Sequence, residues 1–296
     1  MSGYRNFAVS GAGTIGKLVV AELVKKKDEG AIASVTILTR SLDGHKDLVD
    51  KGVKVVAVDY TSPSSLESAL SDIDVLISTL GLLGIGHQTA LATSAKAAGV
   101  KLFVPSDFGS DPHGQTQNPI FAQKVAIQQK LKELSLPYAT FYTGLFTEKV
   151  LVSNYAAALG LNFATGEFSI PGSGTADISW TTAGDAAQFV VYALAALPRE
   201  KIEWRIFRIE GDRLSFDEIA SVWEKHSGNA STVSHRPRIT FEEAVQKNPM
   251  DFISLFILAL DDGLLTVGNP GDLSNSDYPG WKSKKVIDVL SELYAN

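Results

Sequence analysis

A doubly wound α/β fold, an open parallel sheet flanked by helices, is what this 296-residue chain predicts. Three observations carry that expectation. Short apolar, β-branched segments alternate with helical-length amphipathic ones through the first half, as in successive strand–helix pairs. The first of them, Phe7-Ala8-Val9-Ser10, runs into Gly11-Ala12-Gly13-Thr14-Ile15-Gly16, where glycine spacing suits a strand turning sharply into a helix. Hydrophobic residues make up 45% of the chain and charged residues 20%, enough apolar mass for one large domain or a main domain with a smaller lobe.

The glycine segment gives the fold its first chemistry. Gly11 permits the turn, Gly13 lets a pyrophosphate approach the backbone, and Gly16 lets the following helix lie close on the strand. Phosphates would meet the open N–H groups and positive end of that helix, so Gly11, Gly13, Thr14, Ile15 and Gly16 are the expected contacts of a dinucleotide. The context is that of a Rossmann-type unit.

Val35-Thr36-Ile37-Leu38-Thr39 reads as the second strand and ends on Arg40. Units that prefer NAD place an acid there on the ribose hydroxyls. An arginine instead stacks on adenine and pairs with the 2′-phosphate of NADP(H), which its planar fork suits. Lys46 is expected to add a second positive charge. The third strand, Lys54–Val58, closes on Asp59, which either faces the adenine edge or caps the next turn. A short helix spans 64–71, and Asp74–Ser78 forms the fourth strand. Thr79-Leu80-Gly81 then passes beneath the cofactor, and a glycine-bearing loop runs through 82–86 to His87. A helix over 88–98 stops at Gly99. The fifth strand, Lys101–Val104, leads into Pro105-Ser106-Asp107-Phe108-Gly109. Ligands of open α/β sheets bind at this strand edge.

Asn118-Pro119 starts the next helix, with Asn as N-cap and Pro in the first turn. Ile120, Ile127, Leu131 and Leu134 form its buried stripe, and Lys124 falls inside that stripe. An inward ammonium needs a compensating role, since burying it unpaired is costly. Facing a cofactor ribose or a substrate oxygen supplies one; snorkelling at the stripe's edge is the alternative.

At this point the chain resembles the isoflavone reductase-like and NmrA-like branch of the atypical short-chain dehydrogenases. The resemblance rests on the 11–17 glycine segment, Thr39-Arg40, the run from Ala97 to Gly109, Lys124 and Leu136-Pro137-Tyr138-Ala139-Thr140-Phe141. It implies an NADP(H)-binding domain over residues 1–150 and a substrate lobe over 151–296. In reductase members a lysine at the position of Lys124 contacts the nicotinamide ribose or transfers a proton. Ordinary short-chain dehydrogenases use a Tyr-x-x-x-Lys pair, but here Ile120 stands at the tyrosine position. The proton donor is then Lys124 itself, or a water positioned by Ser106 or Asp107. Reductases of plant phenylpropanoids usually carry Glu where Asp107 stands, so no particular substrate is implied.

In the second half, Tyr138–Tyr142 reads as a sixth strand leaving through Thr143 at the cofactor edge. Thr79, Leu80, Ser106 and Thr143 complete the expected cofactor contacts. His87, Asp107, Phe108, Leu145 and Phe146 are the candidate substrate contacts, although Leu145, Phe146, Val150 and Tyr155 serve equally well as core. Residues 168–175 read as a hairpin turn before a strand at 178–180, rather than a second phosphate loop. A helix runs from 184 to 197, and Arg205–Ile209 is expected to rejoin the main sheet. Helices follow at 215–228, 240–247, 249–261 and 283–294. The apolar face of the third, with Phe252, Leu255, Phe256, Leu258 and Ala259, is expected to pack as core, cover the cleft or meet another subunit.

A formal net charge of −6 and no Lys/Arg-rich block argue against a nucleic-acid surface. There is no cysteine, hence no disulfide framework or thiolate chemistry. No Gly-x-Ser-x-Gly elbow supports hydrolysis, and the histidines lack metal spacing. No signal segment or membrane span is expected, which points to a cytoplasmic monomer or homodimer acting on a small molecule. The leading expectation is an NADPH-dependent reductase of an aromatic or conjugated substrate. Its rival is a non-catalytic NADP(H) redox sensor acting through a protein partner, with which the missing tyrosine is compatible.

Overall fold

The computed structural model describes residues 2–113, 115, 118–152 and 154–294. The first half supplies β1 (Asn6–Ser10), α1 (Thr14–Asp28), β2 (Ser34–Thr39), α2 (Lys46–Asp50), β3 (Lys54–Ala57), α3 (Pro63–Ala69), β4 (Val75–Ser78), α4 (Gln88–Ala97), β5 (Leu102–Val104), α5 (Pro119–Glu133) and β6 (Ala139–Tyr142). Strands β3-β2-β1-β4-β5 form a wholly parallel sheet whose order reverses between β1 and β4. That reversal opens a crevice at the C-terminal ends of the two strands, the place where such sheets bind ligands.

Strand alternation sorts the core into two layers. Phe7, Val9, Val35, Ile37, Val75 and Ile77 pack with Val19, Val20 and Leu23 of α1. Ala8, Leu38, Leu76 and Phe103 face the other way, onto Leu66, Leu91, Ile127 and Leu131 from α3, α4 and α5. Period-2 strands between amphipathic helices produce this arrangement directly.

The second half continues through β7 (Leu145–Phe146), α6 (Thr147–Leu151), α7 (Asn154–Ala158), β8 (Leu161–Asn162), β9 (Glu167–Pro171), β10 (Ser179–Thr181), α8 (Ala183–Ala196), β11 (Arg205–Arg208) and β12 (Asp212–Arg213). It closes with α9 (Phe216–Ser227), β13 (Thr232–Arg236), α10 (Arg238–Lys247), α11 (Phe252–Asp261) and α12 (Val286–Tyr294). Helix α8 starts on a Thr182 cap and lies against α1. Strand β11 runs parallel to β6, with the rings of Phe141 and Phe207 stacked 4.8 Å apart. Because Phe103 bridges Tyr138 in parallel, β6 and β11 extend the main sheet beyond β5. Away from that sheet, Leu151, Phe168, Trp180, Phe216, Trp223 and Leu260 centre a second core.

Several expectations need correction, among them the last helix, which starts at Val286 rather than 283. The segment before residue 178 is not a hairpin turn: β9 pairs with β8 and β13, whereas β10 pairs with β7 and β12, so the turn joins two sheets. Gly172 and Gly174 take positive φ there (+70° and +74°) and are pressed against the carboxylates of Asp261 and Asp217. Those charges would repel a phosphate. Helix α11 begins at Phe252 rather than 249, because Asp251 caps it, accepting from Ser254 N at 3.2 Å.

Candidate active site

The glycine segment stands at the reversal point, and each glycine is used differently. Gly11 adopts φ +110°, and a β-carbon on it would come within 3.0 Å of Thr79 O. A β-carbon on Gly16 would collide with Gly11 O and stand 2.6 Å from Thr79 Oγ1. Thr79 Oγ1 itself donates to Gly11 O (2.8 Å) and Ser10 O (3.1 Å), clasping β4 to the turn. Gly13 is the reverse case, with nothing within 4 Å of where its β-carbon would be. It caps α1 without a side chain, whereas Ser62, Asn118, Thr182 and Ser215 cap α3, α5, α8 and α9 through side-chain oxygens. The start of α1 is thus left open for an anion.

The glycines, the ends of β1, β2 and β4 and the loop at 80–84 enclose a groove of about 590 Å³. Arg40, Thr79, Leu80 and His87 line it, as does Tyr60. Tyr60 is a wall residue that sequence reasoning passed over in favour of its neighbour. Its hydroxyl lies 2.9 Å from Ser10 Oγ and its ring 5.7 Å from that of His87. Asp59 instead turns its carboxylate into Thr61, accepting from N (2.8 Å) and Oγ1 (2.7 Å), so of its two expected roles it takes the turn-capping one. Lys46 is exposed at the start of α2 and does not reach the groove wall. Thr14 is exposed in the first turn of α1, and Ile15 is buried in the core.

Beyond the groove, Ser106 ties the strand ends together. Its N donates to Gln88 Oε1 (2.8 Å) and its Oγ to Leu80 O (2.9 Å). Thr143 is fully buried and donates its N–H to Gly109 O (2.9 Å), holding the 105–109 segment against the end of β6 rather than facing the groove. Lys124, only 9% exposed, lies on the wall of a cavity of about 190 Å³. Its Nζ comes within 3.3 Å of the β-carbon position of Gly109, which bounds the same cavity. Ile120, Phe121, Leu145, Phe252, Phe256 and Leu265 make the remaining wall largely apolar. The loop leading to His87 brings the groove up to α5, since a β-carbon on Gly86 would stand 4.0 Å from Gln123 Oε1, the neighbour of Lys124.

Asp107 lies behind the lysine with no exposed surface. Burial pushes its carboxyl up to about 6, against the pull of the Lys124 ammonium and a hydrogen bond from Gln128 Nε2 (2.7 Å). Burial likewise holds Lys124 below the usual lysine range, opposed by the Asp107 carboxylate. Burial raises the phenol of Tyr142, which receives a second hydrogen bond from Gln128 Nε2 at 3.1 Å.

Of the anticipated substrate contacts, only Leu145 reaches the cavity wall. Phe108 and Phe146 pack against the main core, His87 faces the groove, and Asp107 sits behind Lys124. The aromatic contributors Phe121, Phe252 and Phe256 were not singled out as substrate contacts. The face expected for α11 is only partly the one used. Ile257 and Leu260, not among the expected residues, enter the second core with Ala259, and Phe256 and Leu258 pack against that core. Phe252, Phe256 and Ala259 line the cavity, with Phe252 partly exposed. Ile120 is also on the wall, an aliphatic side chain in the register where a phenol acid would stand. Among the described residues no cluster of three or more His, Asp or Glu could hold a metal, and no helix is long and apolar enough to cross a membrane.

Comparison with known proteins gives a consistent picture. A model of the NmrA-like family matches residues 7–261. An isoflavone reductase homologue of Arabidopsis thaliana is 29% identical, over 96% of both chains. A phenylcoumaran benzylic ether reductase of Nicotiana tabacum is 27% identical, over 95% of this chain and 96% of its own. A leucoanthocyanidin reductase of Vitis vinifera, solved as a binary complex with NADPH, superposes with a TM-score of 0.81 at 22% identity. That match covers 98% of this chain and all of the other, and at this identity the likeness is one of fold.

Proposed function

The chain belongs to the NmrA-like family, and from that membership and the site we propose that it is an NADPH-dependent reductase of a small aromatic or conjugated molecule. The observation that carries the reading is the pairing of an open glycine cradle with a buried lysine on an apolar cavity wall nearby. The residues present fit NADP(H). Gly13 leaves room for the pyrophosphate at the uncapped start of α1, and Arg40 at the end of β2 suits a 2′-phosphate. The Vitis vinifera protein of the same fold is solved with NADPH, which supports the choice. When bound, the dihydronicotinamide supplies the hydride.

This chain's own residues do the rest. Thr79 fixes the turn that receives the phosphates, and the phenylalanines of α5 and α11 exclude water around an aromatic or conjugated substrate. The Lys124 ammonium donates a proton to the substrate atom that gains negative charge as the hydride arrives. A donor of this kind works while protonated, so turnover should fall as pH rises through the Lys124 titration, which burial places below the ordinary lysine range.

The test is NADPH oxidation against a panel of enones, quinones, flavonoid-like ketones and benzylic ethers. Saturable turnover supports the reductase. Tight binding of NADP⁺ and NADPH with near-equal affinity, and no turnover of any substrate, would replace it with the redox-sensor reading. Cofactor choice has its own test. Arg40→Ala should weaken NADPH binding about 10- to 100-fold, the worth of a charge-assisted contact, and weaken NADH binding much less, by the lost adenine stacking alone. Equal losses for both cofactors would show that Arg40 does not read the 2′-phosphate.

A further inference from the structure

Asp107 is not accounted for by the cavity wall or by the cofactor groove. It is fully buried, and its Oδ1 has no hydrogen-bond partner. Its Oδ2 accepts from Gln128 Nε2, and that nitrogen also donates to Tyr142 OH. A buried carboxylate with one bare oxygen is unfavourable unless a cation stands close by. Lys124 supplies the cation without touching the carboxylate: no N···O approach between the two is as short as 4.0 Å. It precedes Gln128 by four residues on the same face of α5, and its Nζ stands 3.3 Å from the β-carbon position of Gly109, two residues on from Asp107, so its charge acts on the carboxylate at short range.

The other charges around Asp107 are already engaged with one another. On the segment after β5, His113 Nδ1 lies 2.8 Å from Asp111 Oδ1, and Asp111 Oδ2 accepts from Arg208 Nη2 of β11 at 2.8 Å. His113 attracts the carboxylate and Asp111 repels it, and both act less strongly than Lys124. Tyr142 on β6 faces the site as a neutral phenol, 3.4 Å from His113 Nδ1.

We propose that Asp107 is a positioning residue: its buried carboxylate, locked by Gln128, is the counter-charge that keeps the Lys124 ammonium protonated and in place on the cavity wall. The proton-delivering unit is then a lysine–aspartate pair spanning α5 and the turn after β5, rather than a lone lysine. This inference rests on the reductase reading for its kinetic consequences and on the buried pair alone for its energetic ones.

Two measurements test it. In the first, the pH dependence of kcat is compared for the wild type, Asp107→Asn and Asp107→Glu with any substrate the panel yields. Loss of the negative charge removes what holds the lysine proton, so the alkaline limb of Asp107→Asn should move to lower pH by about one unit or more. Its kcat above the shifted limb should fall about tenfold or more, with the KM for NADPH unchanged. Asp107→Glu keeps the charge and should keep the limb near its wild-type position. An Asp107→Asn limb that coincides with the wild type overturns the proposal.

The second measurement needs no turnover. Thermal midpoints are compared for Lys124→Met, Asp107→Asn and the double variant. Lys124→Met strands the carboxylate and should lower the midpoint, and adding Asp107→Asn to it should recover part of the loss. Strictly additive losses overturn the pairing, even if Asp107→Asn alone folds too poorly for kinetics. A coupled cycle in a protein inert towards every substrate would keep the pair and reject only the reductase reading.

Discussion

Lys124→Ala is expected to reduce turnover on the order of 10³-fold while changing NADPH affinity no more than a few-fold. The size follows from the ordinary contribution of a positioned general acid, about 10²- to 10⁴-fold. The cavity's other polar lining, Ser110 and Asn118, offers a hydroxyl and an amide, neither with the acidity of a lowered ammonium. Its other walls are mainly Ile120, Phe121, Leu145, Phe252, Phe256 and Leu265, and Ile120 occupies the register of a phenol acid. Ser106 spends its hydroxyl proton on Leu80 O, and Asp107 is shut behind the lysine. Stopped assays with wild type and variant, alongside NADPH binding by fluorescence, decide the matter. Full turnover by the variant would move the proton to a bound water.

The same substitution has a pH signature in stability. Asp107 is already raised to about 6 in the presence of the ammonium, and removing that cation raises it further. A carboxyl raised above its unfolded value binds more protons when folded. It therefore adds stability below the ordinary aspartate range and loses that contribution as pH climbs through the folded value. Lys124→Ala should accordingly melt closer to the wild type at pH near 5 than at pH near 8. A gap that widens on acidification would contradict the burial of this carboxylate beside the lysine.

The second large effect separates two glycines of one motif. Gly16→Ala forces a β-carbon onto Gly11 O and to 2.6 Å from Thr79 Oγ1, and a backbone carbonyl at a turn with φ +110° cannot yield as a side chain can. Helix α1 has to move off β1, at a cost of about 1–3 kcal/mol or more by the usual scale of overpacking. The protein should show a lowered thermal midpoint and almost no NADPH binding. Gly13→Ala meets nothing within 4 Å and should fold like the wild type. The added methyl occupies the space left for the phosphates, so NADPH binding should fall on the order of 100-fold without loss of stability. Calorimetric melts with cofactor titration compare the two. Equal losses of stability would mean that Gly13 is also a packing glycine.

Local physics made much of this molecule legible in advance. Phe7–Gly16 states strand, turn and helix within ten residues, Asn118-Pro119 caps α5 as written, and Lys124 breaks an otherwise apolar stripe. Each signal lies within one or two turns of chain, where spacing determines geometry. The substrate side was less legible, because its wall is assembled from α5 and α11, which lie far apart in sequence and come together around the cavity. Phe121 and Phe256 look like core residues in sequence, and only the fold shows that they bound a cavity. Asp59 misled in another way. Its position at a strand end suited a ligand contact, but Thr61 two residues on satisfied its carboxylate locally. The turn at 172–174 failed as a hairpin because strand partners are chosen over long range, and the sequence holds no local mark of that choice.

The route of the chain through α8 and β11 has a consequence for biogenesis. Helix α1 needs the apolar surface of α8 to cover its own, and the edge of β6 is open until β11 arrives beside it. A nascent chain emerging from the ribosome with only its first 150 residues therefore presents a half-covered sheet layer and an unpaired strand edge, both prone to misassociation. Completion waits until about residue 208 has been released, so the glycine cradle at 11–16 becomes rigid late. Folding should consequently be slow and dominated by long-range closure, and a chaperone would have its greatest effect on chains arrested between those two lengths.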